Sequence, residues 1–379
     1  MNKVFHVVEN LDKGAVENYL VNVFLNLKSK GAHPNWVFYC VLGIPGRLDQ
    51  KVKNNGGQII YCPTNLSNKI EFLKHLRSSV KEINPDIIHA HHDYLSGFYW
   101  IGLLGLKAKR ITHIHNADEI LPIGSSFLRK MLLPLFGAFV NQQSDLILGI
   151  SHYTLNYFVD KQIIQPLKKG VLYYGIPMEV FTNNHHESIL NDYPQLIDSK
   201  ILLYSGRLNF EKNPIFLIGV MSKLLKKGLN VQLLIAGKGD YEVAIHKEIK
   251  QLNVENHVHL IGFADNITAL MTQADIFVFP RKLDPKEGLG LVIVEAQCAG
   301  LPIVTTYGIL DDAIILKEQV YQIKLEKEIW VNQIIEILKL DKPDRANSLN
   351  KMNESCFHLD FASEKLMNWY QLVMTTDPN

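Results

Sequence analysis

Residues 276–306 read I-F-V-F-P-R-K-L-D-P-K-E-G-L-G-L-V-I-V-E-A-Q-C-A-G-L-P-I-V-T-T. Ile276–Pro280 is an apolar strand, Leu289–Ala299 a helix, and Ile303–Thr306 a second strand, reached through Ala299-Gly300-Leu301-Pro302. Two strands joined through a helix run parallel. The same alternation fills the sequence upstream. Ile201–Ser205, Val231–Ala236 and Val258–Ile261 are strands, and Asn213–Lys226, Glu242–Gln251 and Asn266–Gln273 are helices. Before them lies another set: strands at Val4–Val8, Asn35–Leu42, Ile59–Cys62, Asp86–Ala90, Arg110–Ile114 and Leu146–Ile150, with helices at Ala15–Ser29 and Ile70–Ile83. Asn84-Pro85 ends the second of these helices, because a residue before proline avoids helical geometry. Ser151 is placed to cap the helix that follows Ile150.

The fold class is therefore α/β, with two doubly wound parallel sheets, each covered by helices. The polar stretch Asn183–Ser199 interrupts the two patterns. We expect an amino-terminal domain over 1–175, a second over 176–360, and a carboxyl-terminal helix, 361–379, crossing back to the first. Two such sheets in tandem are expected to face each other with their ligand loops at a shared cleft.

The chain has 379 residues, a length suited to two domains, and a formal net charge of +1. That balance argues against nucleic acid as the main partner. Cys40, Cys62, Cys298 and Cys356 are scattered, which disfavours a disulfide framework or a cysteine metal site and fits a reducing cytoplasm. No signal-peptide pattern opens the sequence, and Met131–Val140 is too short for a membrane span. Arg129 and Lys130 precede this apolar stretch. They read as the solvated face of a core helix, with peripheral contact to the inner membrane face as the alternative.

Two segments carry chemistry. In Glu287-Gly288-Leu289-Gly290-Leu291-Val292-Ile293-Val294-Glu295, one glutamate precedes a helix and the other lies on it, about two turns along. The glycines allow close approach of backbone to a ligand, and the helix amino terminus suits a phosphate. Carboxylates beside it can accept hydrogen bonds from sugar hydroxyls. Equally, acids at helix starts are common for reasons of dipole alone. The second segment, Ser205-Gly206-Arg207-Leu208-Asn209-Phe210-Glu211-Lys212-Asn213-Pro214, places an arginine and a lysine in one strand-to-helix loop. Together they make a diphosphate clamp; separately they make an ordinary solvated turn.

With both segments in hand, the chain resembles the family-4 retaining glycosyltransferases of the GT-B fold, and among them the bacterial members that build exopolysaccharide and capsule. The resemblance runs over essentially the whole chain. It rests on E-G-L-G-L-V-I-V-E-A, G-R-L-N-F-E-K-N-P, I-A-G-K-G-D-Y-E, D-I-I-H-A-H-H, T-H-I-H-N-A and the strand end Leu260-Ile261-Gly262-Phe263, in order. It implies transfer of a sugar, with retention at the anomeric carbon, from a nucleoside diphosphate sugar to a lipid-linked saccharide, without a metal or other cofactor. Arg207 and Lys212 would hold the diphosphate, within a donor site that includes Gly206 and Gly237. Glu295 would bind the ribose. Glu287, Gly288, Leu289 and Gly290 would hold the donor sugar, and Phe263 would border the base. His115 matches the histidine near the reacting sugar, and Gly14 the glycine loop after the first strand. Two features depart from the family pattern: Lys13 stands where relatives have a glycine, and Arg281–Lys286 lengthens the approach to Glu287.

His89 and His91 share one face of a strand, as do His113 and His115. Without an acid at ligand spacing they read as packed or lining the cleft, not as a zinc site. A nicotinamide oxidoreductase would need G-x-G-x-x-G after an early strand, and Asn10-Leu11-Asp12-Lys13-Gly14-Ala15 lacks it. The rivals that remain are a nucleotide-sugar epimerase or sugar phosphorylase of the same fold, and a non-catalytic scaffold.

Overall fold

The computed structural model describes residues 2–12, 14–64, 66, 68–116, 127–162, 168–182, 193, 196–264, 266–284 and 286–375, with backbone alone at 127–131. The chain divides into two compact units, Met1–Ile176 with Cys356–Asn379, and Pro177–Ser355. Cys40, Cys62 and Cys298 are buried thiols.

The first unit is built on seven parallel strands: β1 (Lys3–Val8), β2 (Asn35–Cys40), β3 (Gln58–Tyr61), β4 (Ile87–Ala90), β5 (Lys109–Ile114), β6 (Leu146–Gly149) and β7 (Lys169–Val171). Their order is β3-β2-β1-β4-β5-β6-β7. Both faces of β1 are covered, so after Lys3 its sequence is an apolar run broken only by His6. The sheet's interior is aromatic, with Phe5, Tyr39, Phe72, Tyr99, Trp100 and Phe158 all packed in one cluster. Helix ends follow local chemistry. The Asn68 side chain accepts from the Glu71 N–H to open Lys69–Ile83, and Asn84 closes it in the left-handed region at φ 47°. Ser151 and Thr154 form a reciprocal cap on His152–Asp160. The helix Leu359–Thr375 packs on Ala15–Ser29, where Asn26 donates to Asp360 at 2.9 Å and Lys30 pairs with Asp360 at 2.6 Å.

The second unit has six parallel strands: β8 (Lys200–Ser205), β9 (Val231–Ala236), β10 (Val258–Gly262), β11 (Ile276–Phe279), β12 (Ile303–Thr305) and β13 (Val320–Gln322). Their order, β10-β9-β8-β11-β12-β13, reverses direction between β8 and β11. The loops leaving those two strands are therefore neighbours at the carboxyl edge of the sheet, where open α/β sheets bind ligands.

One helix start differs from expectation. The helix expected from Leu289 begins at Leu291, because Gly290 sits at φ 84°, outside helical geometry. The helix Phe127–Gln143 runs through Pro134. The side chains of Arg129 and Lys130, the basic pair considered for membrane contact, lie outside the described residues. Among the described residues, no helix is long and apolar enough to cross a membrane.

Candidate active site

In the second unit, the β8 loop is fixed by backbone bonds to its neighbours. Gly206 N–H donates to the Ala236 carbonyl at 3.0 Å, Leu208 N–H to Lys238 at 3.0 Å, and Gly237 N–H to Gly262 at 2.7 Å. Gly237 stands at φ 144°, and a Cβ there would lie 1.9 Å from the Gly206 carbonyl oxygen. Only glycine permits this approach of the β8 and β9 loops. The Tyr204 hydroxyl donates to the Arg207 carbonyl at 2.9 Å, fixing the backbone beneath an exposed arginine side chain. The Asn209 side chain accepts from Lys212 N–H at 3.0 Å, which turns the loop and aims the lysine.

The two sequence segments meet in one ion cluster. Glu287 Oε2 receives the Lys212 ammonium, and Arg281 Nη1 lies 3.0 Å from the same oxygen. All three side chains are largely covered: 19% of Lys212, 17% of Glu287 and 6% of Arg281 is exposed. Burial pushes the Glu287 carboxyl up, but Lys212, Arg281 and Arg207 outweigh it and hold the group below its ordinary value. The same burial lowers the Lys212 ammonium despite Glu287 beside it. One carboxylate facing two close cations and a third nearby leaves a net positive site, which favours an anion.

Gly288, Leu289 and Gly290 lead from Glu287 to the amino terminus of Leu291–Cys298, which has no side-chain cap. Ile293 N–H donates to the Gly290 carbonyl at 2.8 Å, which leaves those of Leu291 and Val292 to meet a ligand oxygen. Glu295 lies on this helix, half-buried, and burial raises its carboxyl to about 7. Phe263 follows β10 and is 49% exposed.

In the first unit, five imidazoles pack on one face of the sheet. His6 on β1, His89 on β4 and His113 on β5 are completely buried, and His91 and His115 just past β4 and β5 are each 6% exposed. A hydrogen-bonded row runs from His6 Nδ1 to His91 Nε2 at 3.2 Å, from His91 Nδ1 to His115 Nε2 at 3.2 Å, and from His115 Nδ1 to the Tyr174 hydroxyl. His89 Nδ1 meets the Tyr370 hydroxyl of the carboxyl-terminal helix at 2.8 Å. His115 N–H donates to Asp93 at 2.5 Å, and Asn116 Nδ2 to the same carboxyl at 2.9 Å. Burial lowers every one of these imidazoles, with like neighbours adding to the effect at His6, His89, His91 and His115. The triads His6–His89–His91 and His91–His113–His115 each bring one nitrogen per ring within 4.8 Å of the others. The faces shared by His89 with His91 and by His113 with His115 were legible from strand periodicity. Their assembly with His6 was not, because it depends on the strand order β1-β4-β5.

Gly14 opens the helix Ala15–Ser29, and a Cβ on it would lie 1.9 Å from the Glu17 carboxyl. Glu17 is buried and raised to about 7 by burial, with Glu9 and Asp12 adding to the rise. The described surroundings of this loop thus hold three acids, of which Asp12 is paired with Arg47 at 3.7 Å. Lys13 lies outside the described residues. Arg281 carried no role in the sequence reading, where it was the first residue of an insertion. Its signal was its place, directly beyond the end of β11 at the switch point.

Known proteins of the same build narrow the class. Residues 16–180 match Glycosyltransferase Family 4, and residues 188–355 match Glycosyl transferases group 1. Between them the two matches span most of the chain, which belongs to the glycosyltransferases built from these two halves. EpsF of Bacillus subtilis, named a glycosyltransferase, is 24% identical over 100% of this chain and 98% of its own. The N-acetylgalactosamine-N,N'-diacetylbacillosaminyl-diphospho-undecaprenol 4-alpha-N-acetylgalactosaminyltransferase of Campylobacter jejuni is 30% identical over 48% of this chain and 46% of its own. Anabaena HepE, solved with UDP-glucose, superimposes with a TM-score of 0.79 at 16% identity, covering 98% of this chain and 100% of HepE.

Proposed function

We propose that the chain transfers a sugar, with retention at the anomeric carbon, from a nucleoside diphosphate sugar to a saccharide carried on a lipid diphosphate in bacterial polysaccharide assembly. The observation that carries this reading is the net positive cluster at the β8–β11 switch point, beside an uncapped helix amino terminus. Arg207 and Lys212 hold the diphosphate and stabilise its charge as it leaves, in place of a metal ion. Glu287 accepts hydrogen bonds from the transferred sugar, and Glu295 from the ribose. The backbone of Gly288, Leu289 and Gly290 completes the sugar contact, Gly206 and Gly237 shape the phosphate loop, and Phe263 borders the base. His115 is assigned to the transferred sugar. The acidic setting of Gly14 suits hydroxyl groups better than phosphate. The leaving phosphate takes the acceptor's proton on the same face, so no protein base is assigned. The lipid-linked acceptor draws support from the name of the Campylobacter relative, and the donor class from the UDP-glucose bound in HepE.

Calorimetry with UDP, ADP and GDP tests the clamp. Arg207→Ala and Lys212→Ala should each weaken the diphosphate that binds wild type by about 1.5 kcal/mol, close to tenfold. Unchanged affinity in both variants would remove the clamp.

Glu295 adds a pH dependence. Its carboxyl must ionise to accept from two ribose hydroxyls, and it does so only around pH 7. Raising the pH from 6 to 8 should therefore tighten binding by up to about tenfold beyond the nucleotide's own titration. Glu295→Gln should abolish that excess, and an identical pH profile in wild type and variant would assign the ribose elsewhere.

A further inference from the structure

Lys212 has two claims on it: the structure gives it to Glu287, and the donor's diphosphate needs it. Moving a buried ammonium away from a buried carboxylate is costly, because the carboxylate is left uncompensated. Arg281 changes this. Its guanidinium lies 3.0 Å from the same Glu287 oxygen and is the most deeply covered of the three groups. Its backbone is anchored, with its carbonyl accepting from the Thr306 hydroxyl at 2.6 Å and the adjacent Pro280 carbonyl accepting from Asn213 at 3.2 Å. Glu287 is itself tied by its N–H to the Gly308 carbonyl at 3.1 Å. Lys212, by contrast, carries its charge on a flexible four-carbon stem, with Nζ 5.2 Å from the Phe279 ring centre.

We propose that Arg281 is a positioning residue, a resident counter-ion that holds Glu287 ionised and in place when Lys212 leaves it for the diphosphate. The inference rests on the donor reading above and adds an ion exchange to it. Donor binding draws the ammonium from carboxylate to phosphate, Arg281 remains on Glu287, and no proton is taken up. The charged and titratable groups facing Glu287 are Lys212, Arg281, Arg207 and the Tyr204 hydroxyl. Arginine suits the resident part because it does not lose its proton.

The test is the proton count of UDP binding at pH 6.5, read by calorimetry in two buffers of different ionisation enthalpy. Comparison with wild type cancels the nucleotide's own proton exchange. Arg281→Gln should take up on the order of one extra proton as Glu287 loses its last close cation, and its affinity should fall about tenfold. Arg281→Lys should restore the wild-type count. A merely structural arginine would lower affinity without changing the count, and an unchanged count in Arg281→Gln overturns the exchange. A second reading needs no nucleotide. Carboxyl carbon shifts should show Glu287 ionised at pH 6.5 in Lys212→Ala and protonated in Lys212→Ala with Arg281→Gln. Equal ionisation in both would remove Arg281 as counter-ion. Failure of wild type to bind UDP, ADP or GDP would instead overturn the donor reading and the exchange together, while the carboxyl titration still decides the residue's hold on Glu287.

Discussion

Replacing Glu287 by glutamine should lower the rate of sugar transfer about 100-fold, because a sugar misplaced by about 1 Å loses roughly that much. Affinity for the free diphosphate should stay the same or rise slightly. The structure explains this split. Glu287 lies between Lys212 and Arg281, so in the proposed donor site it would compete with the diphosphate for the lysine while offering its carboxylate to the sugar. Glutamine keeps the shape but ends the competition. It also weakens the hydrogen bonds that orient the sugar, since charge-assisted bonds are roughly twice as strong as neutral ones. The measurement pairs a calorimetric titration with turnover of the true donor. A large loss of diphosphate affinity with turnover per bound donor unchanged would place Glu287 on the phosphate and reverse the assignment.

The amino-terminal unit should lose stability steeply on acidification below pH 6.5. His6 and His113 are held near 3 and His92 near 4, and His89, His91 and His115 lie well below their ordinary value, all chiefly through burial. These six imidazoles stay neutral in the fold. The unfolded chain protonates them at about 6.5, so it binds more protons than the native state as pH falls. Glu17 and Asp93 act in the opposite sense. Burial raises them to about 7 and about 6, so the folded state takes those two protons first. The imidazoles outnumber the two acids, so the unfolded chain takes up more protons and stability falls as the pH drops from 6.5 toward 5. Urea unfolding at pH 7.5, 6.5 and 5.5 checks this. Trp36, Trp100 and Trp369 report on this unit once Trp330, in the other, is replaced by phenylalanine. Stability that is flat or rising toward pH 5.5 would mean that the cluster is hydrated or charged in the native state.

The strands that sequence revealed are those whose apolar run is long. Val231–Ala236 was read to the residue because all six positions are buried. Lys169–Val171 and Val320–Gln322 were missed because K-G-V and V-Y-Q carry no period and lack the buried apolar start that marks the equally short Ile303–Thr305. At the candidate site, residue types and spacing singled out Arg207, Lys212, Glu287 and Glu295 as candidates, one segment at a time. Spacing could not reveal that Lys212 and Glu287, 75 positions apart, share an ion pair. Nor could it show that Arg281 competes for the same oxygen, because that requires β8 and β11 to be neighbours in the sheet. Local pattern reports the face a side chain takes, and strand order decides which loops meet.

Transfer itself is the most direct measurement. Protein is incubated with labelled UDP-glucose, UDP-N-acetylglucosamine and GDP-mannose in turn, with undecaprenyl-diphosphate saccharides as acceptors and a chelator present. Product linkage is read from the anomeric proton coupling. One donor should pass its sugar to the lipid-linked saccharide with its anomeric configuration retained, and Lys212→Ala should lose most of that activity. An inverted product, transfer that stops in the chelator, or a donor that is only epimerised would contradict the account.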